Sequence, residues 1–269
     1  MIDLHLVSWN RPKMTELVIR TLYRNTNPGT FTLTVFDNGS DEDTRKMLES
    51  IQSEGLIHSL FLDDKNKGLE YARQYMLEHH TYNGVFVDMD NDCLPPPRVD
   101  GVDWLTRQKE LMYKYPEYGA ISQRTQVMIG TGNIFEEADN NEDDLLDFPH
   151  PGGSIRLMST SAVREVHGWT PVVPGRGSEE KKIGSKLRDA GYHTAFAVDI
   201  TCLHLFGTRD NTNETDRWGY DKAMKPEDTG HSDIWHPALS NGDDFTEVEQ
   251  YAGRELTEEY FGVNDNHKA

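Results

Sequence analysis

Continuous apolar runs alternate, along the first third of the chain, with segments whose apolar positions recur every three to four residues. Leu4-His5-Leu6-Val7-Ser8 reads as a buried strand, and Met14, Leu17, Val18, Thr21 and Leu22 share one face of the helix that Asn10-Arg11-Pro12 introduces. The alternating, Thr-, Val- and Phe-rich stretch 31–36 predicts a second strand, closed by Asp37-Asn38-Gly39-Ser40. Together these make a βαβ unit. A helix over 43–52, a strand near 58–62, a helix over 69–79 and a strand over 84–89 continue the alternation. Strands alternating with helices predict an α/β fold on a mostly parallel sheet, whose ligands bind at the carboxyl ends of the strands. The polar motifs of this chain fall at those ends.

After Pro95-Pro96-Pro97 the pattern changes. A helix over 104–115 and a strand over 119–122 precede an acidic, polar loop over 136–147. Beyond it the periodicity predicts a strand over 154–158, a short helix over 161–166, a helix over 179–190 and a strand over 194–198. Residues 208–244 have little periodicity and read as a long loop region, and 245–260 as a terminal helix ahead of a frayed tail. No internal repeat interrupts this order, so one compact unit is expected from the 269 residues.

The balance of 27 Lys+Arg against 46 Asp+Glu leaves a formal charge of −19, which opposes long-range attraction to nucleic acid or an anionic membrane. No stretch approaches the roughly 18 to 20 apolar residues of a membrane span, and Met1-Ile2-Asp3-Leu4-His5 lacks the order of a signal peptide, so a cytoplasmic location is expected. The two cysteines, Cys93 and Cys202, are too few for a disulfide framework and read as buried free thiols.

Chemistry concentrates in Val85-Phe86-Val87-Asp88-Met89-Asp90-Asn91-Asp92, three carboxylates on alternate residues at the end of an apolar strand. Charges beside a core are costly without partners, and a divalent ion is one solution. Hard oxygen ligands favour Mg²⁺ or Mn²⁺, which keep open positions for substrate phosphates. An extended backbone puts Asp88, Asp90 and Asp92 on one face, whereas a turn after Met89 separates their roles. Two further segments are ambiguous alone. Asp37-Asn38-Gly39-Ser40-Asp41 suits either an ordinary turn or contact with a base or ribose. Asn66-Lys67-Gly68-Leu69-Glu70-Tyr71-Ala72-Arg73 is either a plain helix start or a diphosphate site.

The order and spacing of these segments resemble the GT-A glycosyltransferases, and more closely their family 2. Ser8-Trp9-Asn10-Arg11-Pro12 matches the family's first polar turn, Asp37 its second, and Asn66, Gly68 and Arg73 its Asn-x-Gly element and following Arg. The Asp-x-Asp metal motif has two registers here, Asp88-Met89-Asp90 and Asp90-Asn91-Asp92, and the prolines that follow favour the second. Further on, Gly152-Gly153-Ser154-Ile155-Arg156-Leu157-Met158 is similar to the acceptor-side strand. Glu179-Glu180 stands where the family has Glu-Asp before an Arg-Leu-Arg-x-Ala-Gly-Tyr-like helix, and His204 where many GT-A enzymes supply a histidine metal ligand. The match runs from residue 4 to 207.

The resemblance implies a GT-A fold with a nucleotide-sugar-binding half over 1–100, an acceptor-binding half over 101–244 and a C-terminal helix and tail over 245–269. It implies donor contacts from Ser8, Asn10, Arg11, Asp37, Asn66, Gly68, Arg73 and Asp90, and a Mn²⁺ or Mg²⁺ ion held by Asp90, Asp92 and His204, with Asp88 as the alternative register's ligand. Glu180 takes the position of the catalytic base, with Glu179 second because glutamate replaces the usual aspartate. A UDP-sugar donor and inversion are expected; the acceptor is a glycan, a protein, a small molecule or a modified base in viral DNA. The net charge disfavours DNA, although Arg11-Lys13-Arg20-Arg24 and Lys181-Lys182-Lys186-Arg188 are local basic clusters. Trp169, Trp218, Tyr220 and Trp235 either stack on sugars or pack locally. A nucleotidyltransferase is the neighbouring alternative, but Leu6 to Lys13 has no Gly-rich phosphate loop; a non-catalytic glycan-binding module is another, and it needs no Glu179-Glu180 pair.

Overall fold

The structure, a computed structural model, describes residues 1–125, 144–152, 154–169, 179–205 and 246–261. The N-terminal units follow the hydrophobic pattern: β1 (Ile2–Ser8), α1 (Pro12–Asn25), β2 (Phe31–Asp37), α2 (Glu42–Ser53), β3 (Ser59–Leu62), α3 (Leu69–His79) and β4 (Val85–Asp90). Pro12 at the first helical position starts α1, and the Asp41 side chain accepts the Thr44 N–H at 2.9 Å to cap α2. There follow β5 (Cys93–Leu94), α4 (Trp104–Lys114), β6 (Tyr118–Thr125), β7 (Leu145–Asp147), β8 (Ile155–Ser159), α5 (Thr160–Glu165), α6 (Glu179–Asp189), β9 (His193–His204), α7 (Thr246–Ala252) and α8 (Arg254–Phe261).

The strands make one sheet in the order β3-β2-β1-β4-β8-β6-β9-β5, with β7 paired to β9. Parallel pairing joins β3, β2, β1 and β4, and again β6 and β9; β8, β7 and β5 run antiparallel to their neighbours. The parallel character is thus strongest in the N-terminal half, where helices α1, α2 and α3 cross between parallel strands, the last carrying the chain from β3 to the far side of β1. Register aligns the ends that matter: Ser8 lies beside Asp37, and Val7 beside Asp90. On the other flank of β4, Asp88 lies opposite Arg156.

Three features differ from the hydrophobic pattern. Residues 145–147, expected within the polar loop, pair with β9 as β7. β9 continues past Val198 to His204, because β6 and β5 hydrogen-bond its second half despite the exposed Asp199. The terminal helix is two helices broken at Gly253, whose φ of 82° suits glycine and where an added Cβ would sit 2.4 Å from Arg24 Cζ. Val248 and Ala252 of α7 join the main core formed by α1, β1, β2, β6, β8 and β9.

Candidate functional site

The turn after β1 is left-handed at two consecutive non-glycine residues, Asn10 (φ 54°) and Arg11 (φ 59°). Such conformations cost on the order of 1–3 kcal/mol each and persist where surrounding contacts hold them. The contacts are specific. The Asn10 N–H donates to Ser40 Oγ at 2.7 Å, and the Asp41 N–H donates to Asn10 Oδ1 at 3.0 Å. Ser40 in turn donates its N–H to Asp37 Oδ2 at 3.0 Å and its hydroxyl to Asp37 Oδ1. Burial raises the pKa of Asp37 above the usual carboxylate value, and the Ser40 bonds only partly offset this. Gly39 makes the turn possible: at φ 77°, an added Cβ would lie 2.3 Å from the Lys65 carbonyl carbon. Asn66 Oδ1 accepts from Asn38 Nδ2 at 2.9 Å and from the Gly68 N–H at 2.8 Å, so Asn66 and Gly68 form the wall facing that turn. Ser8 Oγ, fully buried at the end of β1, has no hydrogen-bond partner. An orphaned hydroxyl beside Asp37 fits a site that takes a polar ligand.

Beneath these turns lies an ionic hub. Arg73, with a side chain 0% exposed, uses all three guanidinium nitrogens: Nε to Asp88 Oδ1 at 3.0 Å, Nη2 to Asp90 Oδ1 at 2.7 Å and Nη1 to Glu179 Oε1 at 3.0 Å. Arg73, expected among the donor contacts, ties α3 to β4 and α6 with three of its five N–H groups. The other Asp88 oxygen accepts Arg156 Nε at 2.8 Å, and the Arg156 guanidinium lies 5.9 Å from the Trp169 ring centre. Asp88, the alternative register's metal ligand, is thus held between two buried guanidiniums that compensate its charge. Burial opposes the charge of Asp88 and Glu179, yet Arg73 and Arg156 outweigh it and hold both pKa values below the ordinary range. Glu180 is shifted the other way, by burial first and then by its neighbour Glu179.

Asp92 lies on the open side of the hub. Its Oδ2 receives Arg11 Nη1 at 3.2 Å, and its Oδ1 lies 3.4 Å from His204 Nε2 and 3.5 Å from Cys93 Sγ. Burial works against the Asp92 charge, but His204 and Arg11 depress its pKa. Asp90 is pushed up to about 8, by burial first and by the charges of Asp92, Asp88 and Glu179, against the pull of Arg73. Five carboxylates (Asp88, Asp90, Asp92, Glu179 and Glu180) thus face three guanidiniums (Arg73, Arg156 and Arg11). The carboxylate and imidazole donors of Asp92 and His204 suit a divalent ion. Asp92, Cys93 and His204 are the one such three-residue ligand cluster among the described residues.

The structure therefore gathers Asp90, Asp92 and His204 on one side of the hub and Glu179 and Glu180 on the other, with Ser8, Asn10, Arg11, Asp37, Asn66 and Gly68 around the strand-end turns. Arg156 and Cys93 also border the site, and neither carries a local signal in the sequence for that position. Arg156 sits two residues after Ser154 in a strand, where a fully buried cation is not anticipated. Cys93 gains its place from the pairing of β5 with β9, which sets it opposite His204. Trp169 is buried, edge-on to Phe86 at 6.2 Å, and packs locally. Trp218, Tyr220, Trp235, Gly153 and the residues 208–244 lie outside the described residues.

The fold is that of the GT-A glycosyltransferases. The mannosyltransferase PcManGT from Pyrobaculum calidifontis, solved with GDP-Man and Mn²⁺, superposes with a TM-score of 0.62 at 18% identity, over 76% of this chain and 56% of that one. GalNAc-T7, solved with UDP, GalNAc and Mn²⁺, gives 0.61 at 13% identity over 97% and 54%, and residues 1–349 of S. aureus TarS give 0.55 at 12% identity over 99% and 73%. The chain spans little more than half the length of the first two. By sequence it belongs to glycosyl transferase family 2, whose model matches residues 4–166. No curated protein matches it.

Proposed function

We propose that this chain transfers a sugar from a nucleoside diphosphate sugar, with UDP-sugar as the expected donor, to an acceptor hydroxyl with inversion. The observation that carries this reading is Asp92 Oδ1 within 3.4 Å of His204 Nε2 at the mouth of the strand-end turns. Asp92 and His204 would hold a Mn²⁺ or Mg²⁺ ion, with Asp90 beside them, and a bound ion there offsets the charge that develops on a departing diphosphate. Ser8, Asp37 and Asn10 line the end of the sheet where a base and ribose would rest, and Arg11 adds a cation next to Asp92.

Glu180 is the base in this reading. An acceptor hydroxyl is a weak nucleophile at neutral pH, and a carboxylate of raised pKa takes its proton better as attack proceeds. Glu179 is spent on Arg73, so its charge is already satisfied. Residues 1–100 would then serve the donor and residues 101–244 the acceptor. Neighbours solved with GDP-Man and with UDP leave the nucleotide to a direct comparison.

Titration calorimetry with UDP, GDP, CDP and ADP, each with and without Mn²⁺, tests the reading. One nucleotide should bind in a Mn²⁺-dependent manner, and Asp92→Ala should lose that dependence; metal-independent binding unaffected by Asp92→Ala would refute it. Hydrolysis of the matching nucleotide sugar then separates an enzyme from a binding module.

A further inference from the structure

We propose that Cys93 Sγ is a third protein ligand of this cation site and biases it toward thiophilic divalent ions. The inference rests on the cation reading above and adds to it a soft donor. The Sγ lies 3.5 Å from Asp92 Oδ1, the same oxygen that is 3.4 Å from His204 Nε2, and the ligand atoms of all three residues fall within 4.8 Å of one another. A tetrahedral ion with metal–sulfur, metal–nitrogen and metal–oxygen bonds of roughly 2.3, 2.1 and 2.1 Å needs ligand atoms roughly 3.4 to 3.7 Å apart, which two of these edges already meet. The backbone prepares the arrangement: β5 pairs antiparallel with β9 so that Cys93 is opposite His204, and the Leu205 N–H donates to the Asp92 carbonyl at 2.8 Å.

Cys93 is fully buried, so an approaching ion meets it from the side of His204, which is 26% exposed. Thiolate coordination forms one metal–sulfur bond and releases one proton to solvent. Thiolate donors favour Zn²⁺, Cd²⁺ and Co²⁺ over Mg²⁺, whose preference is for oxygen. The site should therefore bind Cd²⁺ or Zn²⁺ at least about tenfold more tightly than Mg²⁺ or Mn²⁺, and Cys93→Ser should narrow that gap by a similar factor.

Co²⁺ titration of the full chain provides the test, because Cys93 and Cys202 are its only thiols. The expected result is a near-ultraviolet sulfur-to-cobalt charge-transfer band that survives in Cys202→Ser and disappears in Cys93→Ser, while equilibrium dialysis still finds Co²⁺ bound to Cys93→Ser. Bound Co²⁺ without the band, or a band unchanged in Cys93→Ser, overturns the inference and leaves the cation site standing. Co²⁺ binding that is absent, or that Asp92→Ala and His204→Ala leave untouched, removes the cation site and the inference together. Should Cys93→Ser not fold, the ¹¹³Cd resonance of the unaltered chain decides: a downfield, thiolate-type shift supports the ligand, and an oxygen- and nitrogen-type shift rejects it.

Discussion

Arg73 carries more of this site than any other single residue. Its three nitrogens hold Asp88, Asp90 and Glu179, so replacing it with Met breaks three ion pairs at once and leaves Asp88 to Arg156. Breaking buried pairs in this way costs about 3–5 kcal/mol, and urea unfolding of Arg73→Met should show a loss of that size. Acid should do part of the same work. Asp88 and Glu179 have depressed pKa values, so their contribution is complete above the ordinary values of 3.8 and 4.5 and is lost as pH falls through the lower folded values. Glu180, raised instead, contributes in the opposite sense: its share is present below 4.5 and fades as pH rises through its folded value. With Glu180 as the proposed base, the rate should climb with pH through that same raised value. Glu180→Gln should lower kcat roughly 100- to 10,000-fold with nucleotide affinity unchanged, measured by steady-state kinetics and calorimetry. A variant with kcat intact would move the base elsewhere.

Among elements, the β2–α2 turn leaves no room for a side chain at Gly39. Gly39→Ala combines a left-handed backbone with a Cβ in contact with the Lys65 backbone, and a loss of about 1–3 kcal/mol should appear as a lower Tm. The helices and the four parallel strands were legible because their periodicity is local: α1 and α3 announce themselves through apolar spacing, and β1, β2 and β4 through short apolar runs. What escaped is non-local. β5 has two residues and β7 three, too few for any pattern, and both exist because β9 offers them an edge. The same limit governs the site. Asp92 and His204 stood out by chemistry and order, whereas the engagement of Arg73 by three carboxylates depends on α3, β4 and α6 converging, which no spacing within one segment encodes. The break at Gly253 was hidden because the residues on either side of it are helical.

On the scale of the molecule, one sheet carries both halves, and the carboxyl ends of β1, β2 and β4 meet the end of β9 at a single mouth. No helix among the described residues is long and apolar enough to cross a membrane. The charge of −19 should keep the chain from retarding unmodified duplex DNA in gels at 150 mM salt, a result that distinguishes specific acceptor contacts from general attraction. A nucleotide and ion that bind only the folded chain should stabilise it by about 2.7 kcal/mol at one hundred times Kd, read as a rise in Tm. The most direct measurement is an anomalous difference map at the manganese edge from a crystal soaked in Mn²⁺ and the nucleotide that binds. The account predicts one peak between Asp92, His204 and the diphosphate; a peak elsewhere, or nucleotide bound with no peak beside Asp92, would contradict it.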